Sequence, residues 1–237
     1  MGEALRWLER RGTRRDREGM ARYGIVAPKA FGVRVSAIQQ LAKRLGRDHA
    51  LANPLWKTGW YEARVLVSFV AEPERLTSEQ MDRWAVDFDN WAVCDALCFQ
   101  LFDRAPLAWQ KVREWCVRPE EFVRRAGFAL LASVALHDKT APDRPFLSTL
   151  TLIERGAKDD RNFVKKGVSW ALRSIGRRNP TLNAAAIASA RRLIASREPA
   201  ARWVGRDALR ELTGPVVRRR LAARPSSRNR AARRRAG

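Results

Sequence analysis

Histidine and cysteine are scarce in this chain of 237 residues, which has two of the first and three of the second. The histidines, His49 and His137, lie far apart, and no Cys-x-x-Cys pair exists. A structural zinc centre needs four ligands of these kinds, so the composition argues against one. Cys94 and Cys98 sit four residues apart and read better as buried core thiols than as half a metal site. With Cys116 the count is odd, which does not suit a disulfide framework. Long apolar runs are missing, so no segment is expected to span a membrane. The first residues are charged throughout, without the apolar core of a secretory signal. A reducing cytoplasm is the expected setting, with no metal or other cofactor. Period-two alternation and β-branched clusters are also sparse, which leaves little from which to build a sheet.

Acid is the other shortage. Asp and Glu total 25 against 47 Lys and Arg, a formal net charge of +22. Nine of the Arg fall between Pro215 and Gly237, a stretch with no acid. Without it the balance is still 38 basic to 25 acidic residues, so the body of the chain is basic in its own right. A basic body with a basic tail points to a polyanion, nucleic acid first, and to association with the nucleoid. A general preference for Arg over Lys would give the same composition without any partner.

What the sequence has in quantity is helix signal. Thr77-Ser78-Glu79-Gln80 reads as a capping box, opening a helix that runs to about Asp87. Asp89 is placed to cap the next helix, which carries Trp91, Asp95, Leu97 and Leu101. Pro106, Pro119, Pro145 and Pro180 fall where first helical turns tolerate proline. Breaks recur every 12 to 20 residues or so, the rhythm of short antiparallel helices. Met1 to Gly19 reads as a charged, partly helical lead-in, and Pro215 onward as a disordered basic tail. The folded domain is therefore expected to span residues 1–214.

An internal repeat sets the architecture. Residues 122–131 read FVRRAGFALL, and residues 163–172, 41 positions on, read FVKKGVSWAL. A weaker echo matches Ala171-Leu172-Arg173 to Ala208-Leu209-Arg210. A period near 40 is the size of a two-helix HEAT-like unit, which buries its core only by stacking on copies of itself. The expected fold is all-α, a HEAT-like helical repeat solenoid with a concave basic groove.

Helical spacing then assembles candidates for chemistry. Trp91 and Asp95 are one turn apart and share a face. Arg125 matches Lys166 in the repeat, and Trp170 lies one turn beyond Lys166. If those faces line the groove, two indoles, a carboxylate and a guanidinium converge there. An N7- or N3-alkylated purine carries a formal positive charge, which indole faces attract by about 0.5–2 kcal/mol. Such a base already leaves readily, and a carboxylate can stabilise the oxocarbenium-like sugar it leaves behind. Spacing alone is equally served by core tryptophans, an Asp95 that caps or pairs, and a solvated Arg125.

The same residues resemble the AlkD-like family of DNA alkylation repair glycosylases. The resemblance runs from about Met20 to Leu212. It rests on Met20-Ala21-Arg22-Tyr23, on Trp60-Tyr61-Glu62-Ala63-Arg64, on the W-x-x-x-D spacing of Trp91 and Asp95, and on FVRRAGFALL with Arg125. FVKKGVSWALR with Trp170, followed by Asn179-Pro180, completes it. It implies a DNA glycosylase that hydrolyses the N-glycosidic bond of 3-methyladenine- or 7-methylguanine-type lesions without flipping the base. The implied partner is double-stranded DNA containing alkylated bases, bound by a monomer without metal or membrane. Asp95, Trp91 and Trp170 would be catalytic. Arg125 would grip a phosphate, Tyr23 would line the groove, and Arg124, Lys165 and Lys166 would add DNA contacts. The chain departs from the family at Asn90 and Ala92, where Trp and Asp are frequent. Two other functions are compatible with such a scaffold: a non-catalytic binder of unusual DNA structures, which tolerates Asp95 in a salt bridge, and a protein adaptor, which predicts an apolar or acidic concave face.

Overall fold

Short polar side chains start many of the helices. In the computed structural model, which describes residues 1–223, Thr13, Asp48, Thr77, Asn90 and Asn179 each accept a hydrogen bond from a first-turn amide of the helix that follows. A cap of this kind is worth about 1 kcal/mol. Pro180 follows the Asn179 cap, and Pro199 and Pro215 open two more helices, each with φ already set for helix. The helices so delimited are α1 (Gly2–Arg11), α2 (Arg14–Gly19), α3 (Val35–Leu45), α4 (His49–Lys57), α5 (Tyr61–Val70), α6 (Ser78–Val86), α7 (Trp91–Gln100), α8 (Ala108–Trp115), α9 (Glu121–His137), α10 (Asp143–Gly156), α11 (Asn162–Gly176), α12 (Pro180–Ile194), α13 (Pro199–Leu212) and α14 (Pro215–Ala222). Short 3-10 turns lie at Met20–Tyr23, Pro73–Arg75 and Phe102–Arg104, and no strand occurs among the described residues. The protein is all-α, as its periodicity requires.

The chain forms two compact units, Met1–Val134 and a second from Ala135 onward. In the first, α5 is central, with α1, α3, α4 and α7 packed on it. Its buried residues run nearly all round the helix, from Tyr61 through Val70. Such a helix must be apolar or have its polar groups matched. The one charge buried on it, Glu62, is matched: its carboxylate accepts the amides of Phe31 (3.0 Å), Gly32 (2.7 Å) and Val33 (3.1 Å). Gly32 has φ of 84°, and a Cβ there would meet the Thr13 carbonyl oxygen at 2.3 Å, so only glycine fits this close approach. The Phe31 ring stacks on Trp60 at 3.8 Å. Helix α1 buries Ala4, Trp7 and Leu8, so the start of the chain is part of the packed unit and not merely a lead-in.

A second aromatic cluster accounts for other tryptophans. Trp56 stacks on Trp84 at 5.1 Å, and Phe102 meets Trp84 at 6.4 Å and Trp115 at 5.6 Å. Each such pair contributes about 0.5–1.5 kcal/mol beyond its buried area. The Lys111 ammonium is buried beside them and donates to Ser78, Asp82 and Glu114, each at 2.7 Å.

In the second unit α11, α12 and α13 pack on one another. Val164, Val168, Ala171, Leu172 and Ile175 bury one stripe of α11 at helical spacing. A Cβ on Gly205 would lie 2.6 Å from the Ala190 carbonyl oxygen, so α13 closes on α12 more tightly than any larger residue permits. The Arg178 guanidinium donates to the carbonyls of Ala135 (2.8 Å), Asp138 (2.6 Å) and Ala141 (3.0 Å) and lies over the Phe146 ring. It thereby gathers the turn before α10. The repeat read from the sequence falls on α9, α11 and α13. The boundary expected at residue 214 is not a structural one, because α14 follows it and buries Val217 and Leu221. The rest of the expected tail, residues 224–237, lies outside the described residues.

Candidate functional site

Asn90 decides where α7 begins. Its side-chain oxygen accepts from the amides of Ala92 (3.0 Å) and Val93 (3.1 Å), and the residue is buried. Asp89, the expected cap, instead accepts from the Asn90 amide nitrogen at 2.6 Å and faces Arg64 at 3.7 Å. With the start fixed there, Trp91 is the first helical residue and Asp95 stands one turn further along the same face. The thiols of Cys94 and Cys98 donate to the carbonyls of Phe122 (3.7 Å) and Ala126 (3.5 Å) on α9. All three cysteines are buried free thiols, as expected. Among the described residues no group of His, Cys, Asp and Glu could hold a metal ion.

That α7–α9 seam brings Asp95 to Arg125. The guanidinium donates through Nε to Oδ1 at 2.9 Å and through Nη2 to Oδ2 at 2.7 Å, the two-pronged geometry that favours arginine over lysine. The Asp95 side chain is 20% exposed and that of Arg125 8%. Burial pushes the Asp95 carboxyl above the ordinary carboxylate value, and the adjoining guanidinium only partly offsets it. Burial also works against charge on Arg125, but the Asp95 carboxylate outweighs that and keeps it protonated. The carboxylate is thus fixed in place, partly desolvated and still in contact with solvent.

Trp91 is fixed from the other side. Its indole N–H donates to the Tyr23 carbonyl at 2.9 Å, and Gly24, in the left-handed region, ends the turn that presents it. Tyr23 itself is 72% exposed. It lines an open cleft of about 760 Å³ with Arg14, Arg15, Arg22, Arg34 and Tyr61. The Tyr61 hydroxyl is pushed up to about 12 by burial and by Glu62, so it remains a neutral donor.

The predicted residues are divided between the two units. Asp95, Trp91, Arg125 and Tyr23 belong to the first, while Trp170, Lys165 and Lys166 lie on α11 of the second. Arg125, expected to grip a phosphate, is buried here with its Nε and Nη2 fork holding Asp95. Arg124 is likewise turned to structure, donating to the carbonyls of Arg118 (2.6 Å) and Val117 (3.2 Å) at the end of α8. Trp170 is half-buried and Lys166 exposed. Lys165 lies 5.5 Å from the centre of the Trp203 ring, a residue that sequence reasoning passed over.

A family model described as DNA alkylation repair enzyme matches residues 4–212. The chain belongs to that family. A solved structure of a member of a new family of proteins related to the HEAT-like repeat DNA glycosylases, with affinity for branched DNA structures, superposes with a TM-score of 0.72. The two are 19% identical over 80% of this chain and 81% of the other, so the likeness is one of fold, a HEAT-like repeat. No curated protein matches the sequence. Within the DNA alkylation repair enzymes this member has a buried helix cap, Asn90, immediately before the Trp91–Asp95 turn.

Proposed function

We propose that this DNA alkylation repair enzyme is a monofunctional glycosylase that removes cationic alkylated purines from double-stranded DNA. The observation that carries the reading is the Asp95 carboxylate, held at two points by Arg125 and one turn from a half-buried indole. Arg125 is a positioning residue in this scheme. In the reaction the bond from C1′ to N9 of the cationic purine breaks, and its electron pair leaves with the base, which becomes neutral. The deoxyribose is left as an oxocarbenium ion, whose charge Asp95 opposes. Water adds to C1′ and gives its proton to the carboxylate. Trp91 offers an aromatic face to the sugar and the positive base. Tyr23, Lys165, Lys166 and Trp170 are assigned to DNA contact.

The test is release of free 7-methylguanine and 3-methyladenine from methylated duplex DNA. Asp95→Asn should lower release by on the order of 10²- to 10³-fold while leaving DNA affinity within about twofold. Equal release by wild type and variant would remove Asp95 from the reaction. A second reading, non-catalytic binding of unusual DNA structures, is favoured by the same salt bridge, which gives Asp95 a purely structural use, and by the described affinity of the solved relative for branched DNA. No release of any base by wild type, together with tight junction binding, selects that reading.

A further inference from the structure

Helices α11 and α13 are joined by a ladder of side chains. At its lower rungs Arg173 donates to Glu211 at 2.6 Å and Ser169 to Asp207 at 2.6 Å. One turn back on each helix the same register pairs Lys165 with Trp203, the ammonium 5.5 Å from the ring centre. This rung differs in kind. It has no acid, and Trp203 remains 39% exposed although it is a large aromatic residue. The rung therefore sets a partly exposed ring beside an ammonium instead of closing an ion pair. Around it the charge is positive and unspent. Lys166 follows Lys165, Arg206 follows Trp203 by one turn, and both are exposed with no acidic partner among the described residues. Trp170 is half-exposed one turn beyond Lys166. By contrast Arg202, on the same helix as Trp203, is tied to the carbonyls of Ser196 and Arg197.

We infer that Trp203, with Lys165 over its ring and the exposed Lys166 and Arg206 on the same two helices, is a stacking platform for an unpaired base of DNA, so that the second unit binds branched or locally opened DNA in preference to plain duplex. The inference deepens the DNA-binding reading and rests on it. The occupant follows from chemistry. An exposed aromatic face suits the face of a base, which is sequence-independent, and free cations suit the phosphates on either side of it. In an intact duplex the bases are stacked inside, so the cations alone would be engaged. An acidic peptide would satisfy the charges but leaves the ring without a planar partner.

The experiment compares the full chain and its Trp203→Ala, Trp203→Phe and Lys166→Ala variants. Each is titrated at one salt concentration with a three-way junction bearing two unpaired nucleotides, and with linear duplex of equal length. Trp203→Ala should weaken junction binding by about tenfold and duplex binding by less than about twofold. Trp203→Phe should restore most of the difference, because the ring is kept. Lys166→Ala should weaken both ligands alike and reduce the slope of log affinity on log salt by about 0.9. A 2-aminopurine at the branch should be quenched by wild type and regain fluorescence with Trp203→Ala. Equal losses on junction and duplex, no loss on either, or failure of Trp203→Phe to rescue would overturn the proposal. If 7-methylguanine release and duplex binding persist while Trp203→Ala has no junction effect, only this inference falls. If wild type binds neither DNA, the functional reading falls with it.

Discussion

Arg125 and Lys166 occupy one position of the repeat, 41 residues apart, and the protein uses them in opposite ways. Arg125 is drawn inward onto Asp95, whereas Lys166 stands in solvent with no acid beside it. The contrast extends to the units. The buried charged residues among those described, Glu62, Lys111 and Arg125, all belong to the first. The second places its charges in half-exposed rungs such as Arg173–Glu211 and Arg192–Glu154. Removing charge from water costs several kcal/mol per ion and is tolerated only with full pairing. The first unit therefore holds its buried ionic groups in fully paired positions, and the second keeps most of its ion pairs where solvent screens them.

The comparison is broken most severely by exchanging the two fates. Arg125→Ala strands a partly buried carboxylate and should lower unfolding stability by about 3–5 kcal/mol, whereas Lys166→Ala should change it by less than about 0.5 kcal/mol. Chemical denaturation of both variants checks this, and similar values would erase the distinction. A smaller contrast lies between Glu62→Ala, which leaves three amides without an acceptor and should cost about 3 kcal/mol, and Glu211→Ala, whose half-exposed pairing is worth about 1 kcal/mol or less. Denaturant midpoints of the two would show whether buried and surface carboxylates differ as their settings imply. The smallest effect is in pH. With its carboxyl raised by burial above 3.8, Asp95 takes up a proton at higher pH than an ordinary aspartate. Base release should therefore fall as pH drops through a value above 3.8, while Lys166-dependent duplex binding stays level across that limb. A release profile without an acid limb would detach the reaction from this carboxylate.

Much of this fold is legible in the sequence because its cues are local. Thr77 caps α6 where the capping box put it, Pro180 begins α12, and the repeated Phe-Val segments lie on α9 and α11. The shared face of Trp91 and Asp95 also follows from helical period alone. What the sequence hides is register between helices. Asp95 and Arg125 are 30 residues apart, a spacing unrelated to the 41-residue repeat, so their meeting depends on how α7 lies against α9. Glu62 is similarly opaque, because its partners are backbone amides that carry no side-chain signature. The capping role moved by one residue, from Asp89 to Asn90, because Arg64 engages the aspartate. Helix α14 was masked by its arginines, although Val217 and Leu221 stand at helical spacing. Trp203 did leave a signal. In the weak third echo it aligns with Lys166, an aromatic residue where the second copy has a cation.

Asn90 carries a consequence for any attempt to enlarge the aromatic surface beside Trp91. Grafting a bulky indole at this site, by analogy with relatives, is not an independent edit. The amide nitrogen's tie to Asp89 and the two turn-opening amides would be released together. The newcomer would have to find room where 2% of the present residue is accessible. Any gain in recognition would arrive with a frayed first turn beneath Trp91, so such a design needs a substitute terminator for α7 before it needs a larger aromatic surface.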